Sequence, residues 1–538
     1  TVVALRRYTL KLRLPGGEIR DLVLSLRLER DGSYRRLEIS LNSSKGARID
    51  MLGEGVGSPF EPQVFDGDLY VDITTGDLGA MQDMLASRLP GIWADGALDL
   101  ELWLSWDNGE PGLLARVEAT DLVVKGKDDA WQVPLDRVSL EAEFIRGGDR
   151  WTVFATDTQL EHDGVVVQLP QVQLDAWGRA LRVRAANLPL EPVSQLVTGV
   201  EALPAKLVNV FSELQPRGTL NALQLSFGDM GKPASDWEVE GRFNDLVVNS
   251  WHGAPGVTSG RGYFQILPNG GTVMLDSQNL AMDFPGLYSE PLFYHELFGT
   301  LYLDWDSELL RLSSDLMTAR GDEGTATVLF GLDIPLVPSD IGLEMELLVG
   351  LKNSHPIHRA KYVPNVLSQT LRDWLSASIG EGVIEQGAFL WRGALRRGSG
   401  SLRSVQLAFN LSDTSIDYHP LWPPVKVQTG VVLIDDADVS VWANQADLYA
   451  SRIGHLSAET WLDAQGQIML AVNARLRGPA EDGLAVLNDS PINDLVKGTF
   501  QDWSLSGQLE IDLQLQMNLS DKAVPPQVEV ATRWQQVD

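Results

Sequence analysis

The sequence has no cysteine in 538 residues, which excludes disulfides, thiolate metal sites and cysteine nucleophiles together and fits an oxidising compartment. Positive charge is also scarce. Against 73 Asp and Glu stand 43 Lys and Arg, a formal net charge of −30. The acids are spread along the chain, so no basic stripe remains to displace counterions from nucleic acid, and broad adsorption to anionic headgroups is disfavoured. No stretch reaches the roughly 18 uninterrupted apolar residues of a spanning helix, and the amino terminus carries no signal-peptide pattern. The chain opens at Thr1 in mid-pattern and stops in a strand-like run, Val528 to Trp534. Both ends read as cuts through a longer protein whose targeting or anchoring segment lies upstream.

Catalytic signatures are missing too. There is no Gly-x-Ser-x-Gly elbow. Gly53-Glu54-Gly55-Val56-Gly57 lacks the spacing of a phosphate loop and is followed by Pro59, so it reads as a turn. Gly228 to Lys232 is followed by Pro233 where a nucleotide loop needs Ser or Thr. His355 and His358 have no third ligand at metal spacing. Asp66, Asp68 and Asp72 alternate with Leu69 and Val71, the pattern of outward-facing acids on a hairpin. The expectation is a protein that is not an enzyme, with no cofactor, metal or catalytic residue.

What is present is apolar and alternating. Hydrophobic residues make up 44% of the chain, with 16 Trp and 15 Phe. From Leu509 to Leu519, Leu509, Ile511, Leu513, Leu515, Met517 and Leu519 alternate with Glu510, Asp512, Gln514, Gln516 and Asn518. A period of two puts every apolar side chain on one face of a sheet. Leu98, Leu100, Leu102 and Leu104 repeat the pattern, as do Tyr8 to Leu14, Val165 to Leu169, Val172 to Leu174 and Val431 to Ile434. Turn signals at Pro15-Gly16-Gly17, Asp31-Gly32, Asp66-Gly67, Gly147-Gly148-Asp149, Pro268 to Gly271 and Asp463 to Gly466 predict hairpins, hence a largely antiparallel meander.

Helical periodicity occurs over Asp77 to Leu89, Pro204 to Leu214, Pro364 to Ile379 and from Ser490-Pro491 onward. After each comes a Gly-x-Leu or Gly-x-Phe that opens a strand: Gly96-Ala97-Leu98, Gly218-Thr219-Leu220, Gly387-Ala388-Phe389 and Gly507-Gln508-Leu509. These mark internal units near 1–95, 96–217, 218–386, 387–506 and 507–538 within one continuous body. Separate sandwiches would need linkers, which are missing. The expected fold is therefore mainly β: an elongated, twisted, largely antiparallel repeat sheet curved into a hydrophobic groove, with a few short amphipathic helices. Strands of about ten residues would number roughly 30 to 40 and extend some 150 Å, the scale of a gap between membranes. An apolar lining of that kind suits acyl chains, with Leu98, Leu100, Leu102, Leu104, Leu220, Phe389, Val431, Leu433, Leu509, Ile511, Leu513 and Leu515 as candidate contacts.

Two motifs carry a resemblance. One runs from Tyr362-Val363-Pro364-Asn365 through Leu371, Trp374 and Leu375 to Gly382-Val383-Ile384, Gly387-Ala388-Phe389 and Arg392-Gly393. The other is Ile416-Asp417-Tyr418, Pro420 and Trp422-Pro423-Pro424-Val425, followed by the Gly430 to Ile434 strand and Asp435-Asp436. Both resemble the YhdP branch of the AsmA-like, TamB-related bridge-like lipid-transfer proteins, and Leu188-Pro189-Leu190-Glu191-Pro192 resembles the strand-to-helix junction of the wider group. The resemblance implies a bacterial envelope protein held in the inner membrane by an anchor missing from this chain. Its periplasmic body would carry phospholipid toward the outer membrane, with outer-membrane or envelope proteins as possible partners and no catalytic residues. The alternative is a periplasmic scaffold or chaperone that presents sheet edges to outer-membrane β proteins during assembly.

Overall fold

The computed structural model describes the chain apart from residues 14–18, 44–45, 59–60, 62–64, 80–91, 108–109, 127–131, 200–204, 233–234, 252–253, 286–287, 356–357, 359–364, 366–371, 373–379, 396–402, 418–421, 437, 491–492, 494–496, 522–523 and 537–538. It is mainly β, with 28 strands and three described helices. Two compact units divide it: Thr1–Trp251 with Gly260–Pro268, and His252–Ser259 with Asn269–Asp538.

The first unit holds β1 (Val2–Arg13), β2 (Ile19–Asp31), β3 (Tyr34–Ser43), β4 (Arg48–Val56), β5 (Asp66–Thr75), β6 (Ile92–Asp107), β7 (Glu110–Gly126), β8 (Gln132–Gly147), β9 (Arg150–His162), β10 (Val165–Trp177), β11 (Ala180–Pro189), α1 (Leu190–Gly199), α2 (Ala205–Leu214), β12 (Arg217–Phe227) and β13 (Trp237–Val248). β14 (Gly256–Leu267) divides between the units. The second holds β15 (Gly270–Asp283), β16 (Leu292–Trp305), β17 (Leu309–Ser314), β18 (Met317–Gly321), β19 (Gly324–Pro335), β20 (Glu344–Ser354), β21 (Val383–Ala394), β22 (Ser404–Ile416), β23 (Val425–Asp435), β24 (Asp438–Leu448), β25 (Ser451–Leu462), β26 (Ile468–Pro479), α3 (Ala480–Asp489), β27 (Gln508–Asn518) and β28 (Gln527–Gln535). Several strands are longer than the expected ten residues, and β7 reaches 17, so the described residues form fewer strands than expected. Val165–Leu169 and Val172–Leu174 are parts of one strand, β10.

Within each unit every strand pairs antiparallel with its neighbour in sequence, as in β6 with β7 and β26 with β27. β17 and β18 form one broken rung, since both pair with β16 on one side and β19 on the other. Register then aligns the apolar residues into rows. In the first unit Leu5, Leu26, Ile39, Met51, Val71, Leu102, Ala115, Ala142, Ala155, Val172, Ala185 and Leu223 stand opposite one another across twelve strands. In the second, Leu515 continues through Val472, Ala458, Val441, Val432, Phe409, Gly387, Leu351, Ala326, Ala319 and Leu297. Because side chains alternate between faces, each row is bounded on its strands by residues of the other face.

That other face carries the charge. Arg116 on β7 reaches Glu101 on β6 at 3.1 Å and Glu141 on β8 at 2.9 Å, and the Tyr70 hydroxyl donates to Glu101 at 2.9 Å. Burial, followed by that hydrogen bond, pushes the Tyr70 hydroxyl up to about 12. Asp175 on β10 is fully covered. It accepts from Arg150 Nε at 3.1 Å, the Thr152 hydroxyl at 2.8 Å and Gln173 Nε2 at 3.1 Å. Burial raises its carboxyl, but the bonds from Arg150, Thr152 and Gln173 outweigh it and hold the group below the ordinary carboxylate range. Asp175→Ala is expected to cost about 2 kcal/mol at neutral pH, because Arg150 and Arg184, the latter 3.5 Å from Asp175 Oδ2 and both half-exposed, lose their shared acceptor but keep access to water. A depressed carboxyl stabilises above its unfolded value and loses that contribution as pH falls through its folded one. The gap between wild type and variant in urea midpoint should therefore close below about pH 4.

Glycines within strands correct two expected turns. Gly53 and Gly55 lie inside β4, and Gly67 lies at the start of β5, paired with Gly55. A Cβ on Gly55 would sit 2.5 Å from the Phe65 ring, so these glycines admit an aromatic side chain over the ladder. The turns at Gly148-Asp149, Pro268-Asn269 and Ala464-Gln465 are where expected, whereas Pro15-Gly16-Gly17 lies outside the described residues.

Candidate functional site

The two faces differ in what covers them. Large apolar side chains of the rows, Leu100, Leu102, Leu104, Leu513 and Leu515 among them, are half-buried, and full burial along the rows falls largely on small residues such as Ala115, Ala142 and Ala319. No second sheet packs on the apolar faces among the described residues.

Helices cover one margin of each face. In the first unit α1 and α2 are inserted between β11 and β12, which still pair directly. Leu190 and Ser194 of α1 are buried against β10, β11 and β12. In the second, α3 is inserted between β26 and β27. Pro479 precedes it in extended geometry, and Glu481 and Asp482 occupy its first turn, where a carboxylate suits the helix dipole. Leu484 and Val486 turn toward the sheet, Leu484 being buried and Val486 packing against the buried cluster that includes Val427, Ala446, Leu448 and Ile453. Asp482 accepts from Ala450 N at 3.0 Å and the Ser451 hydroxyl at 2.6 Å, and the Tyr449 hydroxyl donates to Asp489 at 3.0 Å. Burial and then the Asp489 bond push the Tyr449 hydroxyl up to about 12. The β5–β6 and β20–β21 connections leave from the same strand ends as the helical insertion of their own unit. The opposite ends carry most of the tight turns and leave their margin uncovered, as at Trp151, Leu462 and Ile468.

The expected contact residues are distributed as follows. Leu98, Leu100, Leu102 and Leu104 share the apolar face of the first unit, facing Ala119, Val117, Ala115 and Leu113. Leu220 lies on that face opposite Leu188 and Phe243, at the margin beside α1. Phe389 stands between Val349 and Leu407 on the apolar face of the second unit. Ile511, Leu513 and Leu515 are there as well, opposite Leu476, Ala474 and Val472. Leu509 is on the same face but sealed, since a Cβ on Gly483 of α3 would fall 2.5 Å from its Cδ2. Val431 and Leu433 stand on the opposite face, paired with Trp442 and Ser440, while Val432 and Ile434 take the apolar one. The bulge at Gln428-Thr429 shifts the alternation set by Val425 and Val427.

Helix placement differs in detail from the sequence reading. α2 matches the segment ending at Leu214, the segments around Asp77–Leu89 and Pro364–Ile379 lie almost wholly outside the described residues, and Ser490 caps the end of α3 while the segment expected to begin there lies mostly outside the described residues, with Asn493 helical. Among the described residues no helix is long and apolar enough to cross a membrane. Asp136, His162 and Asp163 place one ligand atom each within 4.8 Å of one another beside the Asp163-Gly164 turn, where Asp163 N donates to Asp136.

A family profile described as YhdP protein matches residues 9–533. The chain belongs to the YhdP family. It is 22% identical over 475 residues to the intermembrane phospholipid transporter YhdP of Escherichia coli (strain K12), covering 81% of this YhdP-family chain and 35% of that protein. The chain thus spans 35% of the length of the curated relative it matches. The motif around Tyr362 to Leu375 that first suggested the family lies almost wholly outside the described residues, whereas Gly382 to Gly393 forms the start and body of β21.

Proposed function

We propose that this chain is a segment of a periplasmic conduit that carries phospholipid between the inner and outer membranes, without catalysis, in a groove lined by the apolar sheet faces. The observation that carries it is the register: apolar rows run without a charged member across twelve strands of one unit and at least eleven of the other, with one margin uncovered. Acyl chains laid on such a row gain about 0.8 kcal/mol per buried methylene, on the order of 10 kcal/mol for a tail. Successive rungs offer nearly the same surface, so a tail exchanges one rung for the next at little net cost and moves by diffusion. Helices at the covered margin shape access, and headgroups stand at the open one. Anchoring in the inner membrane and docking on envelope proteins belong to the full-length protein.

Photo-crosslinkers at Ile511 and Leu513 should capture phospholipid in cells, whereas one at Gln514 on the opposite face should not. Mass spectrometry of the protein purified from membranes should find phospholipid bound. Capture at neither apolar position, together with lipid-free protein, would overturn the reading.

A further inference from the structure

At the open margin, the apolar face of each unit ends in a tryptophan with an arginine laid over it. In the first unit Arg146 and Trp151 face each other across the β8–β9 hairpin, and their row continues through Ala176, Leu181 and Phe227. The Arg146 guanidinium lies 5.0 Å from the indole centroid, and Trp151 is 49% exposed. In the second unit Trp391 of β21 stands between Leu347 and Val405 on the apolar face. The Arg403 guanidinium, just ahead of β22, lies 4.1 Å from its ring. Both pairs sit at the strand ends opposite to those that bear their unit's helix.

Two stacked arginines of the other face differ from them electrostatically, although a third, Arg182 over Trp177, also has no carboxylate at ion-pair distance among the described residues. Arg116 stacks on Trp103 but is held by Glu101 and Glu141, and Arg150 stacks on Trp177 but is held by Asp175. Among the described residues no carboxylate lies within ion-pair distance of Arg146 or Arg403. In a chain of net charge −30, a cation without a counter-charge at the lip of an apolar surface is a local attraction for an outside anion. Stacking fixes the guanidinium plane and leaves its edge N–H groups free to donate, a fork that matches phosphate oxygens. The indole beneath is the side chain suited to a boundary between oil and water.

We propose that Arg146 with Trp151 and Arg403 with Trp391 are headgroup stations, each holding the phosphate of a phospholipid whose tails lie on the adjoining apolar rows. The proposal rests on the conduit reading and adds to it a chemical preference: an acidic phosphodiester should be favoured over a lipid with the same tails and no phosphate. Contact of one guanidinium at an exposed margin makes this a weak hold, which a lipid in transit can leave.

The test loads the whole chain from vesicles containing equal phosphatidylglycerol and diacylglycerol of identical acyl chains, and counts each bound lipid by mass spectrometry. The readout is the change in their ratio between wild type and Arg146→Gln/Arg403→Gln, which cancels the lipids' own partitioning. The double variant is expected to lower the ratio about fivefold with total lipid little changed. Inorganic phosphate replacing chloride at equal ionic strength should leave the wild-type ratio intact. An unchanged ratio in the double variant, or a ratio erased by inorganic phosphate, would overturn the stations while leaving the conduit standing. Failure of the wild type to load either lipid would sink the conduit and the stations with it.

Discussion

Leu102→Glu and Leu513→Glu are each expected to strip bound phospholipid from the chain while leaving the sheets folded. Leu102 lies between Val71 and Ala115 in the middle of its apolar row, and Leu513 between Ala474 and Val530, one strand from the end of its own, and both are half-buried. Without lipid the new carboxylate reaches water across the open margin, so the folded state loses only part of a leucine's burial, about 1 kcal/mol. With an acyl chain above it the same carboxylate is cut off from water and has no partner, which costs several kcal/mol. Lipid occupancy should fall by about a hundredfold or more. Gln514→Glu, one residue away on the opposite face, should change nothing. Lipid-to-protein ratio by mass spectrometry measures the first effect and thermal melting by circular dichroism the second. A scaffold that works through its strand edges would tolerate all three substitutions, so retained activity with Leu513→Glu would favour that function.

Gly218→Val should be the most destabilising single change in the first unit. Gly218 has φ of +105°, and a Cβ there would lie 2.5 Å from the Asp245 carbonyl oxygen and 2.8 Å from that of Asn244. Both obstacles are backbone of the paired strand β13, which cannot turn aside as a side chain can. Strain of about 1–3 kcal/mol for the dihedral adds to the displacement of the ladder, for a total near 4 kcal/mol. Gly466→Ala is the control. Its φ is +74° but nothing lies within 4 Å of the added carbon, so about 1 kcal/mol is expected. Urea denaturation compares them, and equal midpoints would refute the crowding argument.

Much of the fold is legible in the sequence because alternation, hairpin signals and antiparallel pairing all follow from local chemistry. The run Leu509 to Leu519 predicts β27 nearly to the residue. Gly218 and Gly507 stand at the start of their strands as expected, and both have positive φ, but in the third repeat the strained glycine is Gly382, against Thr414, while Gly387 lies mid-strand opposite Phe409. Two glycines five residues apart look alike in a sequence, and only pairing distinguishes the one at a crowded corner. Gly430 to Ile434 is apolar at almost every position, so alternation gave no phase, and the nearby bulge reversed the one suggested by Val425 and Val427. The rows themselves were not visible, since each joins residues on a dozen strands. Ala115, Ala155 and Ala185 gain their place in the row only through register with the strands on either side, one pairing at a time. The lip arginines were missed for the same reason, although the Gly148-Asp149 turn beside Trp151 and the Gly398 to Ser401 stretch after Trp391 were a usable signal.

Laying each rung against the one just before it restricts how such a body can change in size. Inserting a single strand would send every later hairpin to the other margin and carry the helices with it, whereas inserting two would leave all later elements in place. Growth or shortening should therefore proceed in increments of two rungs, close to 10 Å each. The split rung shows the rule at work: β17 and β18 are two segments but share one position, so the β20–β21 connection still leaves from the same strand ends as the β15–β16 connection before it.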